Sequence, residues 1–252
     1  MRHMYLYKRS LPRLMDIFFW PIVELLVWGF LSVYLNEFNI EGVNIITLLL
    51  GAIIFWDFLA QSQRAVSVVF LEDVWERNFL NIFVSPLRLS EFLGSTIVIG
   101  LVRIFFVGIV MFSLSIILYQ FNLFQFGFYL IPFVLNLLIF GWALGLFTTA
   151  IIWRFGTSAQ VLAFGFIVLL QPFAAVFYPV SSLPLWAHPI SYILPPTYVF
   201  EGMRAVVMTG SLPVRELLLS FSTNVVYLIL IIWFFYAMFR RVKKQGRLLK
   251  LD

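Results

Sequence analysis

The sequence predicts an all-α membrane protein of six spanning helices, and three observations carry that prediction. Hydrophobic residues fill 62% of the 252 positions and charged residues 12%, with a mean hydropathy of +1.00. A soluble domain is about 45–50% apolar and about 25% charged, so this chain lacks the polar material to cover a water-facing surface. Six stretches approach or exceed the roughly 20 apolar residues that a helix needs to cross a hydrocarbon core. Lysine and arginine gather at the chain ends and in alternate loops, which is the pattern of membrane orientation. A soluble enzyme is excluded. With no cysteine and only His3 and His188, disulfides, thiolate metal sites and thiol chemistry are excluded too, and no metal site is expected. The net charge of +5 is read by its position as a membrane signal, and no nucleic-acid partner is expected.

Residues 1–16 mix Met4, Tyr5, Leu6, Leu11 and Leu14 with Arg2, Lys8, Arg9 and Arg13. They read as an interfacial amphipathic helix or, equally, as a basic flank without fixed structure. The six spans follow at about 17–35, 43–66, 94–119, 128–153, 159–179 and 217–239. The first runs past signal-peptide length, holds Glu24 and has no small-residue cleavage site after it, so it is expected to be retained. Arg64, Arg77 and Arg88 mark the loop after the second span, Arg154 the loop after the fourth and six basic residues the tail at 240–252, while loops 36–42 and 120–127 have none. Both termini are therefore expected in the cytoplasm of a cell whose inner or plasma membrane holds the chain.

Two further segments do not span. Residues 72–88 place Val74 or Trp75, Asn78 or Phe79, Ile82 and Phe83 at helical spacing, with Glu72, Asp73, Glu76 and Arg77 between them, and Pro86 stops the pattern. That is a short amphipathic helix suited to press on a soluble partner; its acidic residues disfavour an anionic lipid leaflet. Residues 180–216 hold Pro184, Pro189, Pro195, Pro196 and Pro213, yet remain apolar. Short broken helices dipping into the outer leaflet fit them, since no straight helix passes five prolines.

In these features the chain resembles the permease subunit of the ABC-2 family of exporters. The resemblance runs nearly end to end. It rests on Glu72 to Ser85 with the Ser85-Pro86-Leu87 turn, on Gly94-Ser95, on Phe177-Tyr178-Pro179 and Leu183-Pro184-Leu185-Trp186, and on Leu194-Pro195-Pro196-Thr197-Tyr198 with Glu201-Gly202-Met203-Arg204. Arg77-Asn78-Phe79-Leu80 departs from the Gly-Thr-Leu-Glu type run of many members. The resemblance implies a coupling helix at 72–88 that meets an ATPase through Glu72, Trp75, Glu76, Arg77, Phe79, Phe83 and Pro86. It also implies a re-entrant outer hairpin at 180–216 and a pore of two chains, a homodimer by default, bound to two ATPase subunits that hold ATP and magnesium. The chain itself has no G-x-x-x-x-G-K-[ST] loop and no Gly-Lys pair, so no cofactor is expected on it.

Glu24, Asp57 and Arg103 fall within predicted spans, where a central charge costs about 2.5–3.5 kcal/mol. The depths of Glu24 and Arg103, roughly 10–14 Å from the inner ends of their spans at 1.5 Å per residue, match that of Asp57. We expect Arg103 to pair with Asp57 or Glu24 and brace the bundle, with a polar substrate or proton path as the rival reading. Pro195, Pro196, Tyr198, Glu201 and Arg204 are candidates for an outer gate, and Glu201 and Arg204 alternatively form a local pair at i,i+3. Trp20, Tyr34, Tyr119, Tyr129, Trp153, Tyr178 and Trp233 read as interfacial anchors. Gly141 and Gly145 read as a helix-packing G-x-x-x-G, within one chain or between two. The sequence thus points to a permease subunit moving an amphipathic or lipid-linked compound outward. The alternative is a stand-alone ion-coupled carrier using Asp57 and Glu24. No nucleophile with a base and no clustered carboxylate pair supports an enzyme, so no catalytic residue is assigned.

Overall fold

The computed structural model describes residues 11–38, 44–75, 89–210 and 213–244. Its helices are α1 (Leu11–Asn36), α2 (Ile45–Trp75), α3 (Leu89–Tyr119), α4 (Leu130–Phe155), α5 (Val161–Leu170), α6 (His188–Ile193), α7 (Pro195–Thr209) and α8 (Val214–Lys244). Short 3-10 segments lie at Leu123–Tyr129, kinked at Gly127, and at Gly156–Ala159 and Val180–Ser182, and there is no strand among the described residues. Five stretches are long and apolar enough to cross a membrane: Ile17–Asn36, Ile45–Glu72, Leu93–Tyr119, Leu123–Phe155 and Val214–Lys244.

The bundle is built on α2 and α4, which form the most extensive helix pair; α1 and α3 flank α2, while α7 and α8 flank α4. Burial follows that order, with 72% of the most apolar window of α2 buried against 17% in α8. The outward faces stay apolar: Ile117, Phe128, Ile229 and Trp233 are all exposed. In water such a surface would drive aggregation, whereas in lipid it is the ordinary surface of an integral membrane protein.

The structure departs from the predicted boundaries in three places. The predicted fifth span, 159–179, is a helix of only 10 residues, Val161–Leu170, followed by turns as far as Pro179. Pro172 supplies no N–H to continue the ladder, and Ala175 turns the chain with a φ of 52°. The apolar run Phe173-Ala174-Ala175-Val176-Phe177 gives no hydropathy signal of the break. Glu72 to Trp75, assigned from sequence to a separate coupling helix, instead complete α2. The second span runs on because no breaker lies between Val66 and Trp75, and Val66, Phe70 and Leu71 are buried. Leu11 to Asp16, assigned to an interfacial helix, are continuous with the first span as α1, which carries Pro21 inside it. Residues 1–10, 76–88 and 245–252, which hold the rest of the predicted interfacial and coupling helices and the end of the tail, lie outside the described residues.

Candidate functional site

Along α2 the sequence Asp57-Phe58-Leu59-Ala60-Gln61-Ser62-Gln63-Arg64 puts a polar track into an otherwise apolar core. Asp57, Gln61, Ser62, Gln63 and Ser67 are all buried. The hydroxyls satisfy themselves within their own helix, Ser62 donating to Leu59 O at 2.8 Å and Ser67 to Gln63 O at 3.0 Å. Thr148 and Thr149 of α4 do the same toward Leu144 and Gly145 carbonyls. Such back-bonds let a polar residue sit in a packed helix face at little cost. The glycines of α4 then let this face come close. A side chain at Gly141 would strike Ser62 and the Leu59 carbonyl, and one at Gly145 would strike Val66 and the Gln63 carbonyl. The G-x-x-x-G is therefore a seam between α2 and α4 of the same chain.

Asp57 is paired with a residue that sequence reasoning had placed in a loop. Arg64 Nη2 lies 3.6 Å from Asp57 Oδ1, and Gln61 Nε2 donates to the same oxygen at 3.5 Å. Seven residues make almost two helical turns, so Arg64 projects from the same face as Asp57 and folds back along it. The sign that it belonged here was the unbroken helical sequence through Arg64. Glu24 of α1 and Arg103 of α3 lie close enough to act electrostatically on Asp57, so all four charges share one region of the bundle. Gln61 Oε1 and Arg64 Nε are buried without a hydrogen-bond partner among the described residues, a polar interior with capacity for water or another polar group.

The broken segment between α5 and α8 is held by a second polar cluster. Arg204, 8% exposed, donates from Nη2 to Ala175 O at 2.8 Å and from Nη1 to Val176 O at 3.3 Å. Its Nη2 also reaches Glu201 Oε1 at 3.0 Å, and that oxygen accepts the Val180 N–H at 2.8 Å. Burial pushes the Arg204 guanidinium below its usual value, and the Glu201 carboxylate opposes the shift. The pair is thus more than a local i,i+3 bridge: it satisfies the backbone of the turn between α5 and the Val180–Ser182 segment. Pro195 and Pro196 occupy the first turn of α7, where a missing N–H costs nothing, and both are buried. Tyr198 Oη donates to Tyr192 O at 2.7 Å, tying α7 to α6. Trp28 of α1 stacks on Phe177 at 3.9 Å between ring centroids, joining this region to the first span.

A third cluster went unnoticed in the sequence. Asn224 Nδ2 of α8 donates to Asn136 Oδ1 of α4 at 2.9 Å and to Asn136 O at 3.1 Å. Ser220 Oγ donates to Asn136 Oδ1 at 3.0 Å and also contacts Pro195 O at 3.1 Å. One amide side chain in each of two apolar helices was the available signal. Trp153, read as an interfacial anchor, is instead 2% exposed and packs among Phe70, Phe235 and Phe239. Trp20, Tyr34 and Trp233 are exposed, as anchors are.

Of the proposed ATPase contacts, Trp75 is exposed at the end of α2 and Glu72 lies one turn before it, half-buried. Glu76, Arg77, Phe79, Phe83 and Pro86 lie outside the described residues. No curated protein matches the chain. The family model described as an ABC-2 type transporter matches residues 2–208. That range takes in α1 to the last turn of α7, and with them the charged region, the glycine seam and the Arg204 staple: the chain belongs to the ABC-2 type transporters.

Proposed function

We propose that this chain is the membrane subunit of an ATP-driven exporter, acting as a pair of identical chains on two copies of a separate ATPase. It moves an amphipathic or lipid-linked compound outward. Membership of a family that normally pairs with an ABC ATPase supports the partner. The observation that carries the mechanism is α2. It is one uninterrupted helix from Ile45 to Trp75 and the most buried span of the bundle. Segment 76–88 follows directly on its exposed end. A push on that segment is delivered along a rigid rod to the Asp57–Arg64 region and, through the glycine seam, to α4. From α4 the Asn136 contacts hand the motion to α8, whose Ser220 passes it to Pro195 at the start of α7, within the outer hairpin.

Six crossings fit this reading if α5 and the turns to Pro179 cross together. At 1.5 Å per residue α5 rises about 15 Å, half of a hydrocarbon core of about 30 Å. Irregular backbone is tolerated at depth only where protein satisfies it, and Arg204 does so for the Ala175 and Val176 carbonyls. An even count with the lysine and arginine bias puts both termini in the cytoplasm. The pairing of Asp57 with Arg64 on a single helix neutralises the buried carboxylate in place, which favours a structural role for the intramembrane charges over ion coupling.

The test is reconstitution. The chain, purified from its native host, brings down a soluble ATPase, and substrate-stimulated hydrolysis needs both. Reversing the charges of Glu76 and Arg77 lowers that stimulation or dissociates the ATPase while insertion proceeds. Transport by the chain alone in sealed vesicles, driven by a proton gradient, would instead establish the carrier.

A further inference from the structure

Between α4, α5 and α8 lies a cavity of about 370 Å³ bordered by Leu144, Phe147, Phe166, Leu170, Leu230 and Phe234. At about 30 Å³ for each water-sized group, it holds roughly a dozen methylenes. Among the described residues, Tyr227 and Trp233 alone bring polar side-chain atoms to its lining. Water needs two to four polar partners to stay in such a space, and leaving it empty forfeits the packing of its walls. The cavity opens beside Leu230 and Trp233, which are 58% and 71% exposed on a helix long and apolar enough to span. With α8 as a membrane span, that opening faces hydrocarbon.

Along α8 the same face leads to a basic end. Ala237, Arg241 and Lys244 follow Phe234 at three, seven and ten residues, spacings that keep them on one side of a helix. Arg241 and Lys244 are exposed, and the residue between them and the cavity on this face is the small, half-buried Ala237. Arg241 lies about 10 Å beyond Phe234 along the axis. Arg154 adds an exposed cation at the end of α4, whose neighbouring Trp153 packs on Phe235 and Phe239 at 4.6 and 5.0 Å. The three helices that form the cavity carry one acidic residue, Glu216, at the opposite end of α8; α2 brings Glu72 to the basic end.

We propose that the cavity and this basic face form one binding site for an anionic phospholipid. Its acyl tail lies between α4, α5 and α8, and its phosphate meets Arg241, Lys244 and Arg154. The site depends on the helices spanning a bilayer and not on what the transporter carries, so it stands or falls separately from the substrate.

The full chain is reconstituted in phosphatidylcholine vesicles doped with phosphatidylglycerol carrying a photoreactive group near the end of one tail, and the adducts are mapped. Adducts are expected on the peptides holding Phe147, Phe166 and Leu230 in preference to the α3 face around Ile117. Doped phosphatidylcholine with the same tail is expected to label them less. Replacing Arg241→Gln and Lys244→Gln together lowers phosphatidylglycerol labelling about fivefold per charge. Leu230→Trp, which fills the cavity, lowers labelling by both lipids; because it risks the fold, the exposed Arg241 and Lys244 variants are the primary readout. Equal labelling of α3, indifference to headgroup, or a cavity covered by a second copy of the chain would overturn the proposal. So would displacement of the lipid by inorganic phosphate, which would assign the basic face to a free anion.

Discussion

Arg204 shows what a buried cation requires. Two of its contacts are carbonyl oxygens of the turn after α5, and the third is Glu201, which itself holds the Val180 N–H. A simple ion pair would survive exchange of its charges; this one will not, since a carboxylate at position 204 faces two acceptors. Glu201→Arg with Arg204→Glu is therefore predicted to melt no higher than Arg204→Glu alone in a thermal unfolding series in detergent. Recovery of most of the lost stability would show that only the pair matters. The Asp57–Arg64 contact makes the converse prediction. Arg64→Met leaves a buried carboxylate without its nearest cation, and Asp57→Asn added to it restores part of the loss. A coupling energy of about 0.5–3 kcal/mol is expected, toward the low end because the Arg64 side chain is 21% exposed. Additive effects would mean that Arg64 does not act on Asp57.

At the scale of elements, the seam of α2 and α4 is the contact on which the bundle depends. Gly141→Ala forces the helices apart or displaces Ser62, at a cost of about 1–3 kcal/mol. Gly94→Ala in α3 meets nothing within 4 Å and serves as the control that keeps or gains stability. Equal melting temperatures for the two variants would contradict the packing. Much of this layer was legible in the sequence. Hydropathy found four of the long helices to within a few residues at most ends and the fourth span within the Leu123–Phe155 stretch, and the prolines announced that no single helix runs from 180 to 213. What hydropathy cannot report is where an apolar run stops being helical: Pro172 and Ala175 break the fifth span inside a segment as apolar as the helix before it. Nor can it report where a helix stops being a span. Arg64 reads as part of the loop after the second span and Glu72 as part of a separate coupling helix, yet α2 carries both on without a break. The amides of Asn136 and Asn224, far apart in the chain, gave no pairing signal until α4 and α8 were packed.

For the whole molecule, a large apolar surface and a family match over residues 2–208 describe the membrane part of an ABC-2 type transporter, and the proposal above draws its power from a separate ATPase. The polar clusters divide the work in this account. The Asp57 region receives the movement of α2, the Asn136 cluster couples α4 to α8, and Arg204 keeps the outer hairpin whole while it moves. All of this requires segment 76–88 to face the ATPase in the cytoplasm. The chain has no cysteine, so Arg77→Cys introduces a unique thiol, with Tyr192→Cys in the outer hairpin as its counterpart. In sealed vesicles of known orientation, a membrane-impermeant maleimide is predicted to label position 77 only from the cytoplasmic side and position 192 only from the other. Bound ATPase is predicted to protect position 77. Labelling of Arg77→Cys from the outside would contradict the account at its root.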